Sequence, residues 1–495
     1  MKNVSKWFGV WLLVATTGRG AEVASVFTDH MVLQQETPAP VWGTGKPGEN
    51  VTVTFAGQTK STKADDKGQW MIRLDPLTAS AKPDILMVRS AAGETSISDV
   101  LVGEVWIASG QSNMALRLGF SAGTPEQKAP DPMIRLLSVP LAPRATPAMS
   151  VKASWQVAEV GQDIGKFSAV GYFFAKHLLA ARKVPIGIIN SSVGGTPARA
   201  WTPREAMAND PRLKHETDRT TEELKKYDPV QAEAKYREAM AKYKEQPAEP
   251  AGTKKPREPE KPKSPDAYQH SPAALYNGMI APLVPMAVRG VIWYQGEADR
   301  KTPDQYRILF PALITAWRKS FERELPFLFV QLAPYQEITP EIRDAQLFTW
   351  RTVPKTAMAV ITDYGNATNI HPKDKEPVGA RLALAARAIA YGEQIEYSGP
   401  VFDKLKISGQ KAVLSFQHVG DGLVAKGDKL IGFEISGDGT TFVPATAVIE
   451  GETVVVTSDA VPSPVAVRFG WANLPETNLF NKNGLPATPF RTDGR

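Results

Sequence analysis

Two patterns of apolar and polar positions divide this chain. From about Val23 to Val100 the alternation is short. Val51-Thr52-Val53-Thr54-Phe55 repeats with period two, and Lys46-Pro47-Gly48 and Asp66-Lys67-Gly68 read as turns. Short strands separated by turns predict a β-sandwich domain over residues 21–100. From Leu101 the chain carries unbroken apolar runs instead: Val105-Trp106-Ile107-Ala108, Ile186-Gly187-Ile188-Ile189, Gly290-Val291-Ile292-Trp293, Phe327-Leu328-Phe329-Val330 and Met358-Ala359-Val360-Ile361. Helical spacing lies between them, at Val170 to Ala181 and Tyr306 to Phe321. Strands apolar on both faces and separated by helices predict an α/β domain with a parallel central sheet over residues 101–393. Reactive groups in such sheets sit at the carboxyl ends of the strands. After a helix near Glu376 to Tyr391, β-branched alternation returns in Ala412 to Phe416, Gly432 to Ile435 and Thr453 to Val456. A C-terminal β domain is therefore expected over residues 394–495.

The α/β pattern is interrupted over residues 209–270. Glu222 to Lys244, rich in Glu, Lys, Ala and Tyr, predicts one or two exposed helices. Glu245 to Pro265 is a Pro/Lys/Glu tract with too little apolar surface to pack. The stretch reads as an insertion, partly disordered, of the kind a surface loop tolerates. A partner-binding arm is the alternative.

Composition narrows the function classes. The 495 residues are 42% hydrophobic and 22% charged, as in a soluble globular protein. A formal charge of +6 is mild over this length, and no Lys/Arg run carries interleaved aromatics, so nucleic acid is not an expected partner. The absence of cysteine removes disulfides, thiol nucleophiles and Cys-ligated zinc together. Lys2 and Lys6 precede the apolar run Trp7 to Ala15, and the small residues Gly18 and Gly20 precede Ala21. That layout predicts a signal peptide over residues 1–20 and a secreted or periplasmic protein. No other stretch reaches the ~18 apolar residues of a membrane span.

Four loops that follow predicted strands carry the candidate chemistry. In Gly110-Gln111-Ser112-Asn113-Met114, a glycine-flanked turn can project the Ser112 hydroxyl into a cleft, where a base makes it a nucleophile. The competing reading is a helix N-cap. In Ser192-Val193-Gly194-Gly195-Thr196-Pro197, the glycines let backbone N–H groups approach a ligand and donate to an oxyanion. In Trp293-Tyr294-Gln295-Gly296-Glu297-Ala298-Asp299, the Gln295 amide can donate to an oxyanion. Glu297 and Asp299 can orient a base or bind a sugar hydroxyl. A carboxylate pair also raises glycoside hydrolysis, but one short loop seldom supplies both members. Of the six histidines, His371 in Asn369-Ile370-His371-Pro372 alone falls in a loop between a core strand and a helix of the α/β domain, where imidazole can serve as base and acid.

Together these blocks resemble the sialate O-acetylesterase family, a branch of the SGNH-type hydrolases. The resemblance rests on Gly110 to Met114, Gly194-Gly195-Thr196 with Trp201, Gln295-Gly296-Glu297, and Ile370-His371-Pro372 followed by Lys375. Phe27 to Gln34 and Pro40-Val41-Trp42-Gly43 also look like the family's opening β domain. It covers nearly the whole chain after the leader, except the insertion. It implies an SGNH-type three-layer domain flanked by two β domains, and a serine esterase that needs no metal or other cofactor. By resemblance, Ser112 is the nucleophile and His371 the base. The backbone N–H groups of Ser112 and Gly195, with the Gln295 side chain, form the oxyanion hole. The family's position for the acid, three residues before the histidine, holds Thr368. The acid is therefore expected to be Asp363, or to be replaced by a backbone carbonyl that leaves a dyad. Arg199, Trp201 and Glu297 are the expected substrate-binding residues. The implied substrate is an acetylated carbohydrate, foremost an O-acetylated sialic acid. The alternatives are an acetylxylan or other polysaccharide deacetylase, and a non-catalytic carbohydrate-binding protein.

Overall fold

The computed structural model describes residues 21–245 and 258–494. The expected signal peptide lies outside them, as does the 246–257 part of the Pro/Lys/Glu tract.

Seven strands form the core of the central sheet: β1 (Gly93–Gly110), β2 (Ile134–Ser138), β3 (Trp155–Val157), β4 (Ile186–Ser192), β5 (Gly290–Tyr294), β6 (Phe327–Val330) and β7 (Thr356–Ala359). Their spatial order is β3-β2-β4-β1-β5-β6-β7. All neighbours pair in parallel except the edge strand β3, which runs antiparallel to β2. The sheet is thus mixed, where a parallel one was expected. An edge strand joined by a loop instead of a crossover helix is free to return antiparallel.

Six longer helices accompany the sheet: α1 (Ala169–Arg182), α2 (Lys214–Lys226), α3 (Pro229–Glu245), α4 (Pro303–Ser320), α5 (Pro340–Thr352) and α6 (Glu376–Tyr391). Side-chain parity shows how they cover it. Trp293 on β5 lies opposite Ser109 on β1, so the two share a face, and Trp106, three residues before Ser109, points to the other. Trp106 meets Phe174 of α1, whereas Trp293 stacks on Phe310 of α4. Because α1 packs on α6 and α4 on α5, both faces are covered and the sheet reads as apolar runs.

The expected boundary at residues 100 and 101 falls inside β1. The first part of this 18-residue strand pairs with Ser80–Ser90 and Val32–Gln34, and its last part with β4 and β5. One apolar core accordingly runs from Val26 to Val401. The chain from Val401 onward builds antiparallel strands around a second core that includes Leu414, Phe433, Val454 and Phe469. The predicted exposed helices of the insertion are α2 and α3, and α3 has no buried residue.

Arg343 of α5 joins the two cores. It is fully buried, and its guanidinium donates to the carbonyls of Leu332 (2.9 Å) on one side and Ala472 and Asn473 (2.9 Å each) on the other. Burial pushes its pKa down to about 10. Arg343→Met should therefore remove the donor to the buried Leu332 carbonyl and the link to Ala472 and Asn473, and cost about 1–3 kcal/mol. Urea denaturation checks this, and an unchanged midpoint would refute the joint.

Candidate active site

Sheet register brings three of the four sequence blocks together. Gly110 at the end of β1 pairs with Ser192 on one side and Tyr294 on the other, so the loops after β1, β4 and β5 leave the sheet side by side. The approach is close. Gly110 has φ +130°, and a Cβ there would lie 2.2 Å from the Tyr294 carbonyl oxygen, so only glycine fits. The next residue, Gln111, donates its N–H to that carbonyl (2.9 Å), and its side-chain oxygen accepts from the N–H of Ala298 (3.1 Å). The serine turn is thereby tied to the loop after β5.

Ser112 opens a single helical turn, Ser112–Ala115. The N-cap position belongs to Gln111, whose side chain makes no cap bond. The Ser112 hydroxyl instead faces His371, with Oγ and Nε2 2.8 Å apart. As the first residue of the turn, Ser112 has an N–H with no carbonyl of its own helix to reach.

Asparagines shape the histidine loop. The Asn366 Oδ1 accepts the N–H groups of Thr368 (3.0 Å) and Asn369 (2.8 Å), and the Asn369 Oδ1 accepts that of His371 (2.9 Å). Burial, and secondly the nearby Lys375 cation, lowers the His371 pKa from its ordinary 6.5. Neutral imidazole, the form that can accept a proton, is favoured by both effects.

The glycine loop lines the other side of the serine. A Cβ on Gly194 would sit 3.5 Å from that of Ser112, so Gly194 packs against the base of the serine side chain. Gly195 is exposed, with φ +72°. A layer of buried polar groups anchors this loop from behind. The Thr196 hydroxyl donates to the Val193 carbonyl (2.8 Å), and Asp299 accepts the Ala198 N–H (3.0 Å). Burial raises the Asp299 carboxyl to about 6.

Five expected site residues are placed otherwise than predicted. Asp363 turns away from His371: both of its carboxylate oxygens are taken by Arg381 of α6 (2.6 and 2.7 Å). Among the described residues no carboxylate hydrogen-bonds to the His371 ring, whose side-chain contact is the one with Ser112. The Gln295 amide is fully buried and spends its two N–H donors on the Thr196 carbonyl (3.2 Å) and on Asp299, leaving none for an oxyanion. Trp201 is fully buried too, edge-on to Trp293, with its indole N–H donating to Thr196 (3.0 Å). It is a core residue. Glu297 lies beneath the surface against Asn113 (2.5 Å). Arg199 reaches across to the ends of the insertion, donating to the His270 carbonyl (3.2 Å) and facing Glu216 (3.6 Å). Conversely, the supporting roles of Gln111, Asn113 and Lys375 carried no functional assignment in the sequence. Their visible signals are adjacency, since Gln111 and Asn113 flank Ser112 and Lys375 lies four residues after His371, and membership in the blocks that carry the resemblance.

A model of the family described as carbohydrate esterase, sialic acid-specific acetylesterase, matches residues 102–245 and 264–387. The sialate O-acetylesterase of Rattus norvegicus is 32% identical over 97% of this chain and 96% of its own length. That of Homo sapiens is 30% identical over 96% of this chain and 93% of its own. The crystal structure of a carbohydrate acetylesterase from Xanthomonas citri is 37% identical and superposes with a TM-score of 0.80, covering 96% of this chain and 100% of that one.

The correction at Asp363 has a measurable consequence. Asp363→Asn should leave ester-hydrolysis turnover within about 3-fold of the parent. Loss of the charged contact to Arg381 should lower stability by about 1–3 kcal/mol. Steady-state kinetics beside thermal melts check both. A turnover loss of ~10²-fold or more would restore Asp363 as the acid.

Proposed function

The chain belongs to the sialic acid-specific acetylesterase family of carbohydrate esterases, and from that premise we propose that it removes O-acetyl groups from sialic acids through an acetyl-enzyme on Ser112. It is a carboxylic ester hydrolase acting on O-acetylated carbohydrates. The observation that carries the assignment of roles is the 2.8 Å contact between Ser112 Oγ and His371 Nε2 at the carboxyl ends of parallel strands. Helices on both faces of that sheet, with the serine directly after its central strand, support an SGNH-type reading of the core.

In this reading His371 takes the Ser112 proton as the oxygen attacks the acetyl carbonyl. The negative charge develops between two backbone donors, the Ser112 N–H at the start of its turn and the Gly195 N–H of the facing loop. The imidazolium then gives its proton to the departing sugar hydroxyl. Water, deprotonated by the same histidine, attacks the acetyl group and releases acetate. The Gln295 and Asp299 side chains serve by holding the glycine loop in place. Residues 1–20 act as the export signal, and the product is secreted or periplasmic.

Ser112→Ala should reduce hydrolysis of p-nitrophenyl acetate at least ~10³-fold without loss of fold. Equal turnover in the two proteins would end the serine-esterase reading. Since His371 must be neutral to act as base, kcat/KM should rise with pH, with a midpoint below 6.5. Acetate release from acetylated sialic acids should exceed that from acetylated xylan, and the reverse order would move the substrate to plant polysaccharide. N-terminal sequencing of the exported protein should begin at Ala21.

A further inference from the structure

Beneath the serine and histidine loops lies a charged cluster to which the chemistry above gives no role. Lys375 is fully buried, yet its ammonium has one hydrogen-bond acceptor, the Asn113 Oδ1 at 2.6 Å, and it lies 5.2 Å from the centre of the Tyr294 ring. The Asn113 Nδ2 donates both to Glu297 Oε1 (2.5 Å) and to the Ile370 carbonyl (3.0 Å). Glu297 is 3% exposed, and its second oxygen has no hydrogen-bond partner among the described residues.

Chemistry fixes the direction of these bonds. An ammonium only donates and a carboxylate only accepts, so the Asn113 amide can satisfy both in one orientation alone. In that orientation its remaining N–H must point at Ile370. Asn113 is the neighbour of Ser112, and Ile370 is the neighbour of His371. The cluster thus joins the two reacting side chains through one residue on each loop. Burying an ammonium and a carboxylate costs more than filling the same space with apolar side chains, so stability alone does not account for the pair.

We propose that Lys375, acting through Asn113 and Glu297, is a positioning residue whose ammonium clamps the serine turn to the histidine loop and sets the register in which Ser112 Oγ meets His371 Nε2. The proposal rests on the Ser112–His371 reading above. The charged and titratable groups facing Lys375 are Glu297, Asp374, His371 and Tyr294. Burial pushes its own pKa down to about 7, so the clamp is charged at acidic pH and loses its charge as the pH rises through about 7. Its cation also disfavours protonation of His371.

The test uses Lys375→Met, and the double variant Lys375→Met/Glu297→Gln, which removes both charges and keeps the fold without an unpaired buried carboxylate. With p-nitrophenyl acetate, both should lose about 10²-fold in kcat with KM within about 3-fold, the scale expected when reacting groups drift by ~1 Å. The acid-limb midpoint of kcat/KM should move up toward 6.5 in both, a shift that mere loss of packing does not produce. If the double variant melts like the parent and keeps kcat within 2-fold, or if the midpoint does not move, the clamp is wrong. Labelling by a fluorophosphonate separates the two readings. Parent protein should be modified once, at Ser112, and its failure to react would remove the nucleophile, and the clamp with it.

Discussion

Everything at the candidate site depends on how closely the ends of three parallel strands approach one another. Gly110 lies against the Tyr294 carbonyl at a distance that admits a hydrogen atom and nothing larger. That contact lets Gln111 bond to the same carbonyl, places Ser112 at the start of a helical turn, and brings Gly194 against the serine. A side chain at position 110 would push the loops apart, and neither the oxyanion donors nor the histidine could then compensate. The histidine loop is shaped by Asn366 and Asn369 and meets the serine turn where Asn113 bonds to Ile370 and Lys375.

Behind this surface the protein maintains a polar layer in an otherwise apolar core. Glu297, Asp299, Gln295, Asn113 and Lys375 are all buried, and each is hydrogen-bonded to a loop of the site or to another member of the layer. Burial raises the carboxyls and lowers the amine, so the layer holds its charges weakly and mutual contacts maintain them. Rigid placement of a weak nucleophile is what a histidine without a hydrogen-bonded carboxylate requires.

Much of this was legible in the sequence, for a definite reason. Strands buried on both faces must be apolar throughout, so β1, β4, β5, β6 and β7 stood out, and α6 could be placed around Glu376 to Tyr391. The four loops could be named because each follows a predicted strand of the parallel sheet, where reactive groups gather. What could not be read was direction. Asp363, Gln295, Glu297 and Trp201 have the right chemistry and lie in or beside the right loops, but partners elsewhere in the sequence turn them inward: Arg381, Thr196, Asn113 and Trp293. A polar side chain in a loop has several partners within reach, and periodicity says nothing about which it takes. The boundary at residue 100 was hidden for a related reason, since a strand that passes from one pairing environment to another keeps the same alternation.

That continuous strand has a mechanical meaning. It is shared by the N-terminal sheet and the catalytic sheet, and between the two it carries a bulge, where Asp99 has φ +52° and the register with Ser80–Ser90 shifts. The bend is held by Arg135 of the catalytic sheet, whose guanidinium donates to both Asp99 carboxylate oxygens and to the His30 carbonyl. For the N-terminal sheet to swing over the serine as a lid, these contacts would have to break. Its role is that of a fixed buttress. Any selectivity that the cleft exerts toward a glycan must come from the shape it already has, with the acetyl group brought to the serine by the motion of the sugar.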